Sequence, residues 1–524
     1  MGEEEVARGR VHWRDYHEAT KHTVERLAGE RQQLDWANMP AAFRHYEGAP
    51  LIDLPADVPE PSPEGAGTAA QFLSQLLFYS ASISATKIAP SGMRYALRVN
   101  PSSGNLHPTE FHFATRGLGG VDRGMGGGAG GPADAWPDGL YHYRVSSHEA
   151  EQRAAGDWVS PILGSTLAPW SRRARVVFVL TSIFWREAWK YRSRAYRYCC
   201  HDIGHAWESL AQAARALGCE AHAYGHFLDD KLRRAVNAGD DEQPMLIVAV
   251  VGGPGGDGER ERTAPQWFGG KANSLSAETI SYPLIEGVHR ATSITESLAP
   301  VRQGAPGEGG RGSIALPEPA VSHERFAAIV RRRRSALDFQ PQAPAMPLAQ
   351  LSAILRGAMQ PHGCDFEADL TGMPSSRYVS LYLYVHRVEG LDRGVYRYWP
   401  GTHTLELHLA GDHRVAAAGL SLGQDLAGNC AVAFSMIADL ERATEVHGDR
   451  GYRYAHFEAG AIGQRLYLGA ESFGWQATGI GAFYDDAVHQ YLRVAPDQGQ
   501  VIYHFAIGRA VHDQRLSEGA TSGS

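Results

Sequence analysis

Three groups of residues in this 524-residue chain could do chemistry. The first is Pro101-Ser102-Ser103-Gly104-Asn105-Leu106-His107-Pro108, which puts hydroxyls, an amide and open backbone N–H groups in one loop ahead of the alternating Phe111 and Phe113. Alone, such a loop is a turn with capping chemistry. Arg98 just before it, and Arg333-Arg334-Ser335 much later, change its meaning. Guanidinium and hydroxyl groups bind phosphate, while amide and backbone groups meet a ring edge, so the set suits a phosphorylated, carbonyl-rich planar cofactor. The second group is Lys190-Tyr191. A lysine whose pKa is lowered by burial or by neighbouring cations such as Arg186, Arg192 and Arg194 can take a proton from a substrate; a solvated lysine beside a packing tyrosine is the plain alternative. The third is His201 and His205, at the i, i+4 spacing that can chelate zinc. No Glu of an H-E-x-x-H pattern and no third ligand stands nearby, so no metal site is expected.

The elements that must position these residues are written twice. Arg194-x-Tyr196-Arg197-Tyr198, Gly204, Leu210, Gly218, Gly225 and Asp229-Asp230 recur 256 positions later as Arg450-x-Tyr452-Arg453-Tyr454, Gly460, Leu466, Gly474, Gly481 and Asp485-Asp486. Gly139-Leu-Tyr141-His-Tyr143 recurs as Gly394-Val-Tyr396-Arg-Tyr398 at an offset of 255. A period this long means duplicated domains. Periodicity predicts helices over Tyr16–Leu27, Ala69–Tyr79, Tyr196–Gly218, Leu348–Met359 and Tyr452–Gly474, and strands over Val176–Leu180, Met245–Val251, Tyr378–His386, Val395–Tyr398, Ala431–Ala438 and Val501–Ile507. Strands and helices do not simply alternate, which is an α+β pattern. The expected division is an N-terminal extension over 1–65, a first domain over 66–290, a Gly/Pro-rich linker over 291–322 and a second domain over 323–515. The glycine-dense Gly117–Gly131 enters a turn and a strand rather than a helix, so it reads as an insertion and not as a phosphate loop. The repeated Arg-x-Tyr-Arg-Tyr is expected to dock the long helices, and the Asp-Asp pairs to act as helix N-caps.

The combination of Pro-Ser-Ser-Gly-Asn-Leu-His-Pro, Lys190-Tyr191-x-x-Arg194-x-Tyr196-Arg197-Tyr198-x3-Asp202-x-Gly204-His205 and Gly-x-Phe-x-Asp-Asp resembles the SagB/ThcOx-type dehydrogenases of the FMN-dependent nitroreductase superfamily. The resemblance covers roughly residues 70–255 and 325–512, and Tyr16-His17-x3-Lys21 looks like the leader of long members. It implies two tandem nitroreductase-like domains fused into an intramolecular pseudo-dimer, with FMN held between them. The halves differ in complementary ways. The first keeps Pro101–Asn105 and Lys190-Tyr191; the second has Pro374-Ser375-Ser376-Arg377, with Val446-His447 in place of Lys-Tyr, but keeps Arg333-x-Ser335, for which the first offers only Arg44-His-Tyr. The family's basic residue two places after that serine is Leu337 here. One composite FMN site is therefore expected, built from Arg98, Pro101, Ser102, Ser103 and Asn105 of the first half and Arg333, Arg334, Ser335, Gly479, Ile480, Gly481 and Arg509 of the second. By the same resemblance Lys190 is the base and Tyr191 its partner. The implied reaction is dehydrogenation of a C–N or C–C bond in a peptide- or amino-acid-derived substrate, of the azoline-to-azole kind found in natural-product biosynthesis, with oxygen able to reoxidise the flavin. An NAD(P)H-dependent nitro- or quinone-reductase and a flavin-less scaffold of a modification complex are the alternatives.

Composition sets limits on partners. A formal charge of −8 and a pI near 6.3 give no basic surface for nucleic acid or an anionic membrane. The longest apolar runs are strand length, not membrane length. Five cysteines without C-x-x-C spacing fit reduced thiols and a cytoplasmic protein. A small molecule or peptide is the expected ligand, and further pairing of the chain into a homodimer is left open.

Overall fold

A computed structural model describes residues 9–29, 33–63, 67–88, 92–119, 135–255, 265–296, 312–366 and 378–515. Most of the glycine-rich insertion, residues 297–311 of the linker and Pro374-Ser375-Ser376-Arg377 lie outside the described residues.

Two antiparallel sheets form, with the same strand order. In the first, Glu149–Ala155, Gly139–Arg144, Thr109–Thr115, Ala174–Ser182, Gln243–Val251 and Glu220–Tyr224 lie side by side; in the second, Thr404–Ala410, Gly394–Trp399, Val379–Val385, Val432–Ala438, Gln500–Gly508 and Gln476–Ile480 do so. The continuous apolar runs Val176–Leu180 and Met245–Val250 take inner places because they are buried on both faces. The first sheet gains Leu51–Asp53 against Glu149–Ala155, and the second gains Ile314–Ala315 against Thr404–Ala410. The fold is α+β, with two repeats of one unit.

The two long helices, Ala195–Ala216 and Gly451–Glu471, cross at equivalent glycines. A Cβ on Gly204 would stand 2.1 Å from the Phe457 carbonyl oxygen, and one on Gly460 would stand 2.1 Å from that of His201. Only hydrogen fits between these backbones. Around the crossing the contacts are reciprocal, as two-fold symmetry requires of an isologous interface. Arg194 and Arg197 reach Asp485 at 2.9 and 2.8 Å; Arg450 and Arg453 reach Asp229 at 2.6 and 3.3 Å. The Asp-Asp pairs thus differ from their expected role. Leu228 and Tyr484 occupy the N-cap positions, and the first aspartate of each pair, inside the helix, turns to the arginines of the other half.

The symmetry also reaches the N-terminus, which the repeat at 256 does not show. His17-x-Ala-Thr20 recurs as His289-x-Ala-Thr292, at an offset of 272. Arg197 donates to the His17 carbonyl and the Thr20 hydroxyl; Arg453 donates to the His289 carbonyl and the Thr292 hydroxyl. The helix Trp13–Ala19 therefore has a counterpart in Pro283–Ala291. A domain boundary at 290 would cut that counterpart near its end, although it is held by the second long helix.

Candidate functional site

A hairpin of Ile83–Ile88 and Arg94–Arg98 delivers the chain to the Pro101–Asn105 loop. The loop is held in an uncommon shape: Gly104, Asn105 and His107 have φ of 60°, 61° and 50°. Asn tolerates this region better than most residues, and such backbone persists where its surroundings fix it. Asp202, from the first long helix, fixes it by accepting from Ser102 Oγ at 2.6 Å, Ser103 Oγ at 3.0 Å and Ser103 N at 3.1 Å. Asn105 adds a bond from Nδ2 to the Ala96 carbonyl at 3.0 Å.

Across from this loop the second half supplies the other wall. Arg333 is buried and crosses between the halves, donating from Nε to the Val99 carbonyl at 3.0 Å and from Nη2 to the Arg98 carbonyl at 2.9 Å. Arg334 donates to the Ser84 carbonyl at 2.7 Å, and Ser335 shares a 2.8 Å bond with the Tyr467 hydroxyl. That hydroxyl also accepts from Gly479 N at 2.8 Å. Gly479 and Gly481 are required by close packing, since a Cβ would meet Tyr503 at 2.0 Å and Tyr198 at 2.4 Å respectively.

Between the walls lies a cavity of about 360 Å³, within the range of small-molecule sites. Its lining takes in Arg98, Pro101–Asn105, Tyr191, Arg333–Ser335 and Gly479–Gly481, and so draws on both halves. The cavity holds donors that the protein does not satisfy. Arg333 Nη1 and Arg98 Nη1 are buried without a hydrogen-bond partner among the described residues, a state that suits an acceptor such as a bound anion. Burial pushes Arg98 down to about 10, and burial with the Arg333 charge does the same to Arg334. Both remain cations at neutral pH, and an anionic ligand would be stabilised by them.

A family model described as "Nitroreductase family" matches residues 83–253 and 330–509. The chain belongs to the nitroreductase family. A protein named "Putative nitroreductase MJ1384", from Methanocaldococcus jannaschii, is 31% identical over 181 residues, 34% of this chain and 88% of that one. The crystal structure of "a putative nitroreductase from Anabaena variabilis" superposes with a TM-score of 0.75 at 26% identity, covering 95% of this chain and 99% of that one. The second relative therefore matches this nitroreductase-family chain over both halves together.

The structure brings all but two of the sequence-derived site residues to the cavity wall. Lys190 does not line it, but its Nζ lies 3.1 Å from where a Gly104 Cβ would stand, and the Tyr191 hydroxyl lies 2.6 Å from that point. Arg509 is placed elsewhere: its guanidinium stacks 4.0 Å over Trp475 and donates to the Gly474 carbonyl, which corrects the expectation that it joins the site. Sequence reasoning gave Asp202, Tyr198 and Tyr503 no part in the site and read His205, from the resemblance, as a helix-surface or flavin-proximal histidine; all four line the cavity. Asp202 and His205 stand in the motif already quoted; Tyr503 carried no signal. His205 Nε2 bonds the Tyr503 hydroxyl at 3.1 Å, and His201 stacks on the same ring at 4.4 Å. No group of three or more His, Cys, Asp or Glu poised for a metal occurs among the described residues.

The two-fold related position of this nitroreductase-family chain is filled by the chain itself. Residues 363–366 run beside Glu220–Tyr224, with Ala223 N donating to the Gly363 carbonyl at 2.8 Å and Asp365 N to the Ala223 carbonyl at 3.0 Å. The Asp365 carboxylate accepts from Gly225 N at 2.6 Å and His226 N at 3.3 Å. Phe366 stacks on Tyr454, the counterpart of Tyr198, at 4.4 Å and 16°. His447, at the place of Tyr191, is bonded to His226 and Tyr378.

Proposed function

We propose that the chain is an FMN-dependent dehydrogenase with one cofactor site, acting on a peptide- or amino-acid-derived substrate of the azoline-to-azole kind. The observation that supports this most is the cavity of about 360 Å³ lined by both halves, with guanidinium nitrogens of Arg98 and Arg333 that have no partner among the described residues, and with Tyr191 beside Gly104. Arg333, Arg334 and Ser335 suit a phosphate, and the Pro101–Asn105 loop with Gly479–Gly481 suits the ring. Bound FMN supplies a two-electron acceptor. The chain's own residues bind and orient the substrate against it, and Lys190 Nζ takes the substrate proton while the Tyr191 hydroxyl holds that proton's path. Burial raises the Tyr191 phenol well above its ordinary range, so it stays a donor at neutral pH.

The test begins with the absorption spectrum of freshly purified protein and the flavin released on heating. About one FMN per chain is expected. An azoline-containing peptide should then bleach the flavin under anaerobic conditions, and Lys190→Ala should slow that step about 10²- to 10⁴-fold while keeping its FMN. Fast bleaching by NADPH with no response to azoline peptides would replace this reading with a reductase; protein that cannot be loaded with FMN would replace it with a scaffold.

A further inference from the structure

Glu187 lies in the helix Phe184–Tyr191, one turn before Lys190 and Tyr191, and is fully buried. Among the described residues its carboxyl oxygens make no well-formed hydrogen bond, and the Ser102 hydroxyl is the donor that approaches them. Its neighbours are Asp202, the Ser102 hydroxyl and Lys190. That hydroxyl gives its hydrogen to Asp202, at 2.6 Å, so Ser102 stands between two carboxyl groups. Asp202 in turn lines the cavity and is buried. A carboxyl pair thus lies behind the cofactor loop, with one member facing the cavity and the other sealed from water. The proton chemistry of Lys190 and Tyr191 makes no use of either.

Resting on the flavin reading above, we propose that Glu187 and Asp202 form a proton-holding pair that takes up one proton when the cofactor is reduced and releases it when the cofactor is reoxidised. Two electrons and one proton entering the cavity add one negative charge there. In a buried site that charge acts strongly on a carboxylate in the wall and favours its protonated form. The pair rests with one proton, on Glu187, whose burial and whose neighbour Asp202 raise it well above the usual range. Burial lifts Asp202 to about 7 even against its three donors, so it is the member that binds the second proton. The sum is two electrons and two protons held by the loaded protein. A two-electron acceptor that needs two protons, as dioxygen does to become hydrogen peroxide, takes both away.

The other titratable groups facing the pair are Lys190, Tyr191, Cys199 and Tyr503, with Tyr198 packed against Tyr191. Burial raises the three phenols and the thiol, which keeps them protonated across neutral pH. Lys190 is the basic side chain among them.

The measurement is the midpoint potential of the FMN-loaded full chain as a function of pH. Each proton bound per two electrons moves the potential by about 30 mV per pH unit. Two protons are expected above about pH 7, where Asp202 is ionised before reduction, and one in Asp202→Asn over the same range. That variant also separates the pair from any second proton taken by the cofactor itself. A redox infrared difference spectrum of the unaltered protein should show a carboxylate converted to a carboxylic acid on reduction, and Glu187→Gln should move the pH at which it appears. A one-proton slope in the unaltered protein, or no carboxyl signal, would overturn the pair alone. A chain that takes up no flavin would overturn the proposed function and the pair with it.

Discussion

Arg333 meets two demands with one guanidinium. Two of its nitrogens close the gap between the halves through the carbonyls of Arg98 and Val99, and the third is left for a ligand. On the flavin reading, Arg333→Ala should therefore lose one charged hydrogen bond to the ligand, worth about 1.5–3 kcal/mol, or roughly ten- to a hundred-fold in FMN affinity. Flavin fluorescence titration of apo-protein measures it. Lysine at this position should not restore binding, because an ammonium cannot serve three diverging acceptors in one plane. At this scale the sequence supplied residue types, and the structure gives some of them a further reason: Asn105, read as an amide for a ring edge, also stands at positive φ, and glycine at 479 and 481 leaves room for Tyr503 and Tyr198. Arg509 misled because an arginine just after a strand can turn either way, and the indole of Trp475 decides it.

Among the elements, the crossing of the long helices carries the assembly. Gly204→Ala would drive a methyl group onto the Phe457 carbonyl, and the backbones must part; a loss of about 1–3 kcal/mol or more is expected by denaturant titration. Asp485 holds the same region together through charge. Burial alone would raise it, but Arg194 and Arg197 hold it at about 2. Its folded value is below that of an unfolded aspartate, near 3.9, so its contribution is complete above pH 4 and is lost as the pH falls toward 2. That contribution is about 2–3 kcal/mol by linkage. Asp485→Asn, which leaves two buried arginines without their counter-ion, should cost about 3–5 kcal/mol and flatten the acid limb of the stability curve. The Arg-x-Tyr-Arg-Tyr repeat announced this interface, since residues kept in both halves serve what both halves share. The matching N-terminal helix went unread because an unequal segment shifts its offset from 256 to 272 and breaks the register.

For the molecule as a whole, one half of the two-fold is open and the other is closed by residues 363–366. Nothing in that segment's composition marks it as a plug; its meaning depends on the edge strand it meets, a pairing fixed only in three dimensions. Phe366 is buried against Tyr454 and Trp207. Phe366→Ala should cost about 3–5 kcal/mol by leaving a cavity; on the one-flavin reading, flavin content should stay at one per chain, because the first half offers only Arg44-His-Tyr against Arg333-x-Ser335. Two flavins per chain in that variant would show that the plug alone keeps the second site empty. No helix among the described residues is long and apolar enough to cross a membrane.

The self-filled position also changes how the protein can vary. In a dimer of identical chains every substitution is made twice, and a change that helps one site must be borne by both. Here a change at Leu337 or Gln424 is made once, in the wall of one cavity, while the other position goes on serving as packing. With the pair held in one chain, one of the two related positions is scaffold and the other can be altered alone.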